Sequence, residues 1–585
     1  MGRSDSVSGP GWVIARWGDD PSKGYIPPPM PELTINGKTC AFQKGQSILQ
    51  VATESDIEVP HYCYHPSLSV PGNCRICLAE VWQPNPKTGA LESMGKLVPT
   101  CHTQANDGMV VYTDSPKAVA NQKQVMEYLL INHPVDCPVC DQAGECHLQD
   151  YSYQYGRGES RFQEDKIKQP KKDVGPNILL YSDRCIMCTR CVRFTREVTQ
   201  TAELMVDGRG GTESIDVFPG MALDNELASN VIDLCPVGAL LDKDFLFQQR
   251  VWFLKKAASI DGITASGDNI SVEHNEGRVW RIKPRTNMAV NQWWITDEVR
   301  YGWKFVHAED RLAMPAIRGR EAFVREQAGE AWREALNAAH QLLSDGAAAG
   351  RLGLLVSPMV SCEDAYLLAH LVLAMDANAV LGVGPVPVRG EDKVFPNGFR
   401  VHAEKAPNAR GVRRVLESVS ATFPGRSDGK VVDVAGFTAA IRAGVVKATL
   451  ITGNYPSAWV TPDVAQSVAS MPFVLLDTLP NALTGSASVL LPSTTWVEKS
   501  GTFVNANDRA QHFAQAIPTL DFARSEGQIA IDLDAIHRKA RTHPFDVEAI
   551  RAEMATAKGL ECFDGGIHRP SGPARVDADM VLVEL

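Results

Sequence analysis

Cys185-Ile186-Met187-Cys188-Thr189-Arg190-Cys191 sets three thiols at two-residue intervals, and Leu234-Cys235-Pro236-Val237-Gly238-Ala239-Leu240 supplies a fourth far downstream. Cys-x-x-Cys-x-x-Cys wraps three irons of a [4Fe–4S] cube, and in two-cluster ferredoxins the Cys-Pro that closes such a run ligates the other cluster. After Cys191 the only Cys-Pro is Cys235-Pro236. One triple with one remote cysteine predicts a ferredoxin-like fold that kept a single cluster. Arg184, Arg190, Arg193 and Arg196 surround the motif. They fit either of two roles, offsetting a cluster's negative charge or forming a solvated helix face.

Upstream, His133-Pro134-Val135-Asp136-Cys137-Pro138-Val139-Cys140 leads to Gly144-Glu145-Cys146. Three cysteines leave one corner of a four-iron cube without a ligand. His133, just ahead of Cys137, is the nitrogen donor best placed to fill it; His147, directly after a ligand, competes for the role. Imidazole ligation would change the cluster's net charge and potential. A zinc site of three Cys and one His is the competing metal centre. A helix is expected to deliver His133. Asp114 or Ser115 caps it, with Pro116 in its first turn. Val119, Val125, Met126, Leu129 and Leu130 form its apolar stripe, and Pro134 ends it near His133.

Further upstream stand Cys63, Cys74, Cys77 and Cys101, in His61-Tyr62-Cys63-Tyr64-His65-Pro66, Gly72-Asn73-Cys74-Arg75-Ile76-Cys77 and a distant loop. Four thiolates, two per iron, hold a [2Fe–2S] cluster, and a small residue such as Gly72 suits a loop that wraps it closely. Ten residues separate Cys63 from Cys74, where the plant type has four. A four-thiolate zinc site competes, but such sites pair two Cys-x-x-Cys knuckles, whereas Cys63 and Cys101 stand alone. The surrounding unit reads as β-rich. Asn36-Gly37 between the alternating runs of Leu33–Phe42 signals a hairpin, and Ser47 to Ser55 reads as a short helix with Ile48, Leu49 and Val51 inward. Cys40, on a predicted strand, reads as a core residue. Cys362 and Cys562 are isolated and carry no assigned role.

Fourteen cysteines, eleven of them in three groups and with no secretory signal, favour metal ligands in a reducing compartment over disulfides. The net charge of −11 argues against a nucleic-acid partner, which needs clustered Lys and Arg, and permits docking onto basic protein surfaces. The most apolar stretch, Leu367 to Val388, is interrupted by His370, Asp376, Asn378 and Pro385. It reads as a buried helix and strand, and no membrane span is expected. The first residues lack a signal-peptide pattern. Gly2 with Ser6 fits a short myristoylation pattern, and Trp12 and Trp17 would suit an arm docking on a partner.

A chain of 585 residues predicts about three to five domains. The expected organisation is multidomain, α+β followed by α/β. Residues 1–31 form a leader and 32–112 a β-grasp-like [2Fe–2S] ferredoxin domain. Residues 113–176 hold the His-Cys₃ [4Fe–4S] unit and a charged linker, and 177–250 the Cys₄ ferredoxin-like unit. Residues 251–306 form a small β-rich domain, as in Ile270–Glu273 and Val279–Ile282. Residues 307–585 form an α/β domain, with Gly353–Ser357 and Thr449–Thr452 as buried parallel strands and Glu363–Ala374 as an amphipathic helix.

The order of the three groups resembles that of the large iron–sulfur subunits of NADH-quinone oxidoreductase, respiratory complex I. The resemblance is close from about Leu33 to Leu240, and rests on Tyr62-Cys63-Tyr64-His65-Pro66, Asp136-Cys137-Pro138-Val139-Cys140-Asp141-Gln142 and Cys188-Thr189-Arg190-Cys191-Val192-Arg193-Phe194. Carried over residue by residue, that family's ligands fall on the same twelve positions. The remainder is looser. Residues 251–306 and the α/β region look like a degenerate molybdopterin-oxidoreductase domain, best matched at Glu498-Lys499-Ser500-Gly501-Thr502-Phe503-Val504-Asn505 with Arg509-Ala510-Gln511.

The resemblance implies relay. Electrons from NADH and flavin on a partner subunit would pass through one [2Fe–2S] and two [4Fe–4S] clusters, then through another iron–sulfur subunit towards quinone. The setting would be a peripheral arm on the cytoplasmic face of the inner membrane. No Gly-rich dinucleotide fingerprint follows a predicted strand, so NAD and flavin are expected on the partner. Some members carry a fourth cluster at the start of the molybdopterin-like region; no cysteine lies between Cys235 and Cys362, so none is expected here. The α/β region is short and presents no molybdenum ligand set, which makes it a scaffold without molybdopterin. Two other readings compete: the matching subunit of an NAD-linked hydrogenase or formate dehydrogenase, and a zinc-stapled structural protein.

Overall fold

The computed structural model describes residues 30–426 and 430–563; the leader's Gly2, Ser6, Trp12 and Trp17 lie outside them. Within these residues, 30–61 and 72–126 form one compact unit, and 62–71 with 127–563 another.

The first unit starts with the hairpin of β1 (Glu32–Ile35) and β2 (Lys38–Ala41). Asn36 at φ 49° and Gly37 at φ 82° make its turn, the pair of positive φ angles that a tight two-residue hairpin needs. Ser47 caps α1 (Ile48–Glu54) in a reciprocal capping box with Gln50. With β3 (Leu78–Pro84), β4 (Leu91–Pro99) and β5 (Val110–Tyr112) the sheet runs β2-β1-β5-β3-β4. β1 and β5 are parallel and the other neighbours antiparallel. Ile48, Leu49 and Val51 are buried as expected, and so is Cys40.

α2 (Pro116–Leu130) starts where Ser115 Oγ accepts from Ala118 N at 3.3 Å. Its buried line is Ala118, Gln122 and Met126. Val119, Val125, Leu129 and Leu130 are only half-buried. The stripe is therefore centred differently from the apolar reading, because Gln122 is satisfied internally by donating to Thr113 O at 3.0 Å and so tolerates burial.

In the second unit, α3 (His147–Tyr155) precedes a sheet of order β10-β7-β6, built from β6 (Lys171–Asp173), β7 (Ile178–Tyr181) and, later, β10 (Leu240–Asp242). The segment read as linker thus ends in an edge strand. α4 (Arg190–Glu197), the hairpin β8 (Leu204–Asp207) and β9 (Ser214–Val217), and α5 (Asn230–Leu234) lie between β7 and β10. A meander follows of β11 (Lys255–Ile260), β12 (Asn269–Asn275) and β13 (Arg278–Pro284), then α6 (Asp297–Tyr301). Ile260, Ile270, Val272, Val279 and Ile282 bury one side of that meander against Trp303, Trp496 and Phe503.

The α/β region opens with β14 (Ala316–Ile317), α7 (Ala328–Ala349), β15 (Arg351–Val356), α8 (Cys362–Met375) and β16 (Val380–Val383). A small hairpin, β17 (Lys393–Val394) and β18 (Arg400–Val401), precedes α9 (Ala409–Thr422), β19 (Val431–Val432) and α10 (Val434–Arg442). β20 (Val446–Thr452), α11 (Pro462–Ala469), β21 (Phe473–Asp477) and β22 (Val489–Pro492) complete the sheet, in the order β14-β22-β21-β20-β15-β16-β19. All pairs are parallel except β14 with β22. Its central strands are apolar runs because helices cover both faces. The strand order reverses between β15 and β20. β23 (Gly501–Val504), β24 (Ala510–Phe513), α12 (Glu526–Arg538) and α13 (Val547–Ala555) follow. α8 is not amphipathic: it is buried around most of its circumference, since α9, α12, α13 and β23 all pack on it.

Candidate iron–sulfur centres

The third ligand group is the most completely assembled. A short 3-10 turn over Ser182–Arg184 delivers Cys185, positive φ at Met187 (53°) and Thr189 (61°) bends the backbone, Cys191 lies in the first turn of α4, and Cys235 ends α5. Cys185, Cys188, Cys191 and Cys235 line one cavity, walled by Leu180, Ile186, Ile215, Val237, Ala239 and Leu240. Burial is the first cause of a raised thiol pKa at all four, with Cys188 pushed up to about 11. Four thiolates in an apolar cavity would carry a large charge, which Arg190 and Arg193 offset only in part. An iron–sulfur core would supply the opposing positive charge, and four thiols around one cavity are the donor type it takes.

Three of the four arginines around this group are buried. Arg190 donates to Leu234 O (3.3 Å) and Tyr64 O (2.6 Å); Arg193 donates to Cys63 O (2.5 Å), Ser69 O (2.5 Å) and Cys188 O (3.3 Å). They are clamps on ligand-bearing backbone, and only Arg196 is exposed.

The second group starts where α2 has ended. Val135 adopts φ 51°, and a 3-10 turn spans Cys137–Val139. Cys146 caps α3, where the amides of Leu148 and Gln149 lower its thiol pKa against the larger effect of burial, which pushes it to about 12. Burial likewise raises the Cys140 thiol, opposed by Arg184. Arg184 pairs with Asp136 at 2.5 Å, donates to Gly238 O at 3.4 Å and lies 4.1 Å from the Tyr181 ring centroid. Burial depresses the His133 pKa to about 4, with Asp136 opposing and Arg184 reinforcing. His133 is therefore neutral at pH 7, the form in which imidazole ligates metal. It shares the Asp136–Arg184 pair with Cys140 as electrostatic neighbours. His147 is exposed, its ring edge-on to Tyr151 at 6.0 Å.

Of the first group, Cys74, Cys77 and Cys101 belong to the first unit. Cys77 and Cys101 bring their sulfurs to 3.6 Å, close to the roughly 3.8 Å expected of two thiolates on one tetrahedral metal at about 2.3 Å. The Cys101 hydrogen bond lowers the Cys77 pKa, but Cys74 and burial outweigh it. Cys63 lies in residues 62–71 of the second unit and is fully buried.

Sequence reasoning missed the polar groups that back the second group. Glu145 accepts from Arg281 at 2.9 and 2.8 Å and from Lys283 at 3.3 Å, and Arg281 also binds Glu273 at 2.6 Å. Burial would raise the Glu145 carboxyl, but these cations hold it at about 2. Arg250 donates to Cys140 O at 2.9 Å and to Pro138 O. The alternation of Arg281 and Lys283 along a strand was the available signal, and it reads equally well as a solvated face.

Family comparisons follow the same order along the chain. Residues 30–116 match a 2Fe-2S iron-sulfur cluster binding domain, and 122–161 the NADH-ubiquinone oxidoreductase-G iron-sulfur binding region. Residues 175–241 match the ferredoxin-like domain of NADH-quinone oxidoreductase subunit 3. Residues 254–304 match an NDSU1/NuoG-like 4Fe-4S domain, a span without cysteine in this chain, and 421–535 match molybdopterin oxidoreductase. The G-type subunit of the NADH-quinone oxidoreductase of Rickettsia felis is 36% identical over 60% of this chain and 50% of its own length. The mitochondrial NADH-ubiquinone oxidoreductase 78 kDa subunit of Neurospora crassa is 40% identical over 59% and 46%. NADH dehydrogenase [ubiquinone] iron-sulfur protein 1 of Solanum tuberosum is 42% identical over 52% and 39%. The chain thus spans about half the length, or less, of these relatives. A chain from a crystal structure of NAD+-reducing [NiFe]-hydrogenase is 26% identical over 38% of this chain and 91% of its own, but the TM-score of 0.32 carries no weight. The relatives and the matches over 122–161 and 175–241 agree: the chain is similar to the mitochondrial 78 kDa subunit of NADH-ubiquinone oxidoreductase and to its bacterial NADH-quinone oxidoreductase counterpart.

Proposed function

We propose that this chain relays electrons within an NADH-quinone oxidoreductase and holds three clusters. Cys63, Cys74, Cys77 and Cys101 would hold a [2Fe–2S] cluster. His133, Cys137, Cys140 and Cys146 would hold one [4Fe–4S] cluster, and Cys185, Cys188, Cys191 and Cys235 another. The observation that carries the reading is the apolar cavity ringed by four thiols, three of them buried and Cys185 partly so, an arrangement that suits a cationic core. When bound, the clusters supply reversible one-electron chemistry. The protein's own part is to fix the ligand loops through Arg184, Arg190 and Arg193, to keep His133 neutral, and to exclude water from the sulfurs. The partners are a subunit carrying NADH and flavin and a downstream iron–sulfur subunit, at the cytoplasmic face of the inner membrane. No helix among the described residues is long and apolar enough to cross a membrane.

The molybdopterin-like region is a scaffold in this reading. Ligands of such α/β sheets bind where the strand order reverses, beyond the strand ends. Here that crevice holds Asn454, Asp477, Lys499 and Glu526, all buried. Asn454 N donates to Asp477 Oδ1 (2.8 Å), its side chain reaches Thr494 O (3.1 Å) and Glu526, and Lys499 pairs with Asp364 (2.8 Å) and Glu526. Side chains that satisfy one another there do not fit a pterin. With no cysteine in 254–304, no fourth cluster is assigned, and the chain carries no complete active site of its own.

The test is metal analysis of anaerobically purified protein together with low-temperature paramagnetic resonance. The reading expects about ten irons, from 2 + 4 + 4 in the three cluster classes. Stoichiometric zinc with little iron overturns it.

A further inference from the structure

The loop that ends the third group reaches the second. His147 N donates to Pro236 O at 3.0 Å, and Arg184, next in sequence to Cys185, donates to Gly238 O while its guanidinium holds Asp136. Gly238 is the point of closest approach. A Cβ built on it would penetrate Cys140 Sγ, and would meet Gln142 Cβ at 3.1 Å and Arg184 Cδ at 3.7 Å. Gly238 does not have a positive φ, so its backbone conformation is open to other residues. The reason for glycine here is space, and the space is taken by the sulfur of a cluster ligand. Cys140 is nearly enclosed, at 8% exposure, and its carbonyl is fixed by Arg250. The sulfur therefore cannot swing aside freely.

We infer that Gly238 is a positioning residue for electron transfer between the two [4Fe–4S] sites, because it seats Cys140 Sγ directly against the Cys235 loop. This rests on the assignment of both ligand groups proposed above. The step it serves is a single-electron exchange in which one cluster is oxidised and the other reduced, with no proton or bond change. Tunnelling weakens steeply with separation, and the contact joins the ligand loops through the backbone from Cys235 to Gly238 and then sulfur, with no side chain between. The position needs glycine for this contact and for no turn of its own.

The experiment uses the full-length chain loaded anaerobically with iron and sulfide, read by iron content and by paramagnetic resonance during reductive titration. In the unaltered protein, fully reduced samples should show two cubane signals broadened by each other; if two such signals do not form, the ligand assignment fails and the inference with it. In Gly238→Ala, the third-group signal should persist while the second-group signal is lost or altered and the mutual broadening disappears. Two unchanged signals with unchanged broadening would overturn the inference while leaving the ligand assignment standing. If Gly238→Ala yields no soluble protein, Gly238→Ala combined with Cys140→Ala removes the obstructing sulfur. It should restore soluble protein carrying the third cluster, and failure of that rescue, with Cys140→Ala alone soluble, overturns the proposed contact.

Discussion

The third ligand group and the α/β crevice are both buried and both rich in groups that dislike burial, yet they solve the problem in opposite ways. Around Cys185, Cys188, Cys191 and Cys235 no protein cation enters the cavity, whose wall is apolar apart from Thr189. Arg190 and Arg193 nearby donate mainly to backbone carbonyls, and Arg193 also reaches the Thr189 hydroxyl. At the crevice, Lys499 answers Asp364 and Glu526, and Asn454 spans what remains. The thiols of one set face a shared apolar cavity, and the carboxylates of the other are closed on a lysine. That difference separates a binding site from a structural centre more sharply than burial or the number of polar residues does.

The largest effect should come from opening the first region further. Cys188→Ala should abolish the third-group signal and lower the iron count by about four, while the second-group signal survives. Retention of all the iron would mean the cavity is not a cluster site. The closed region should respond in stability and not in metal. Lys499→Met leaves two carboxylates buried without their cation, which typically costs about 3–5 kcal/mol. Denaturant midpoints should fall accordingly, and iron per folded chain should stay unchanged. A loss of iron with unaltered stability would erase the distinction.

His133 tests a position between the two extremes. It is held neutral by burial and sits where the cysteines run out. His133→Cys should keep four irons and lower that cluster's potential, because thiolate adds negative charge. His133→Ala should make the same cluster labile and spare the other two. Unchanged signals and potentials in His133→Ala would transfer the role to another residue, with His147 the first to examine despite its exposure.

The smallest effect concerns protons. Burial, together with Asp364, lifts Glu526 to about 7 against the pull of Lys499. Its folded pKa therefore exceeds the unfolded value of about 4.3. The folded state binds the extra proton, so this contribution to stability is complete below about pH 4.3 and is lost as pH rises to about 7. Between pH 5 and 7.5 the stability of the unaltered protein should fall, relative to Glu526→Gln, by something on the order of 1–3 kcal/mol. Parallel pH profiles of the two proteins would show that Glu526 does not titrate there.

The candidate ligand loops stand out in sequence because cluster chemistry is local. Cys185, Cys188 and Cys191 must follow one another closely to meet one cube, and no packing changes that. The hairpin at Asn36-Gly37 and the apolar strands β15 and β20 were legible for similar reasons, since turn geometry and two-sided burial leave marks on adjacent residues. Helix α8 was misread because its environment comes from α9, α12 and β23, all later in the chain. The α2 stripe was misplaced because a buried Gln122 looks polar until its acceptor, Thr113 O, is known. Nothing adjacent to Gly238 announces Cys140, and nothing near Glu145 announces Arg281, some 136 positions on. Spacing singles out candidate ligands, whereas the groups that position and neutralise them come from remote parts of the chain.

Arg193 has a consequence for the order of synthesis. The carbonyl of Cys63 finds its guanidinium donor 130 residues later in the chain. Segment 62–71 therefore lacks this clamp while the ribosome makes everything up to α4. Domains generally fold as units from the N-terminus during translation, but the first ligand loop cannot be completed that way. Stalled nascent chains released before residue 193 should leave Cys63 open to alkylation, and chains extended through α5 should protect it; equal labelling of the two would mean the clamp is dispensable. Metal delivery to the earliest cysteines would then be a late event, timed by an arginine near the last ligand group to be made.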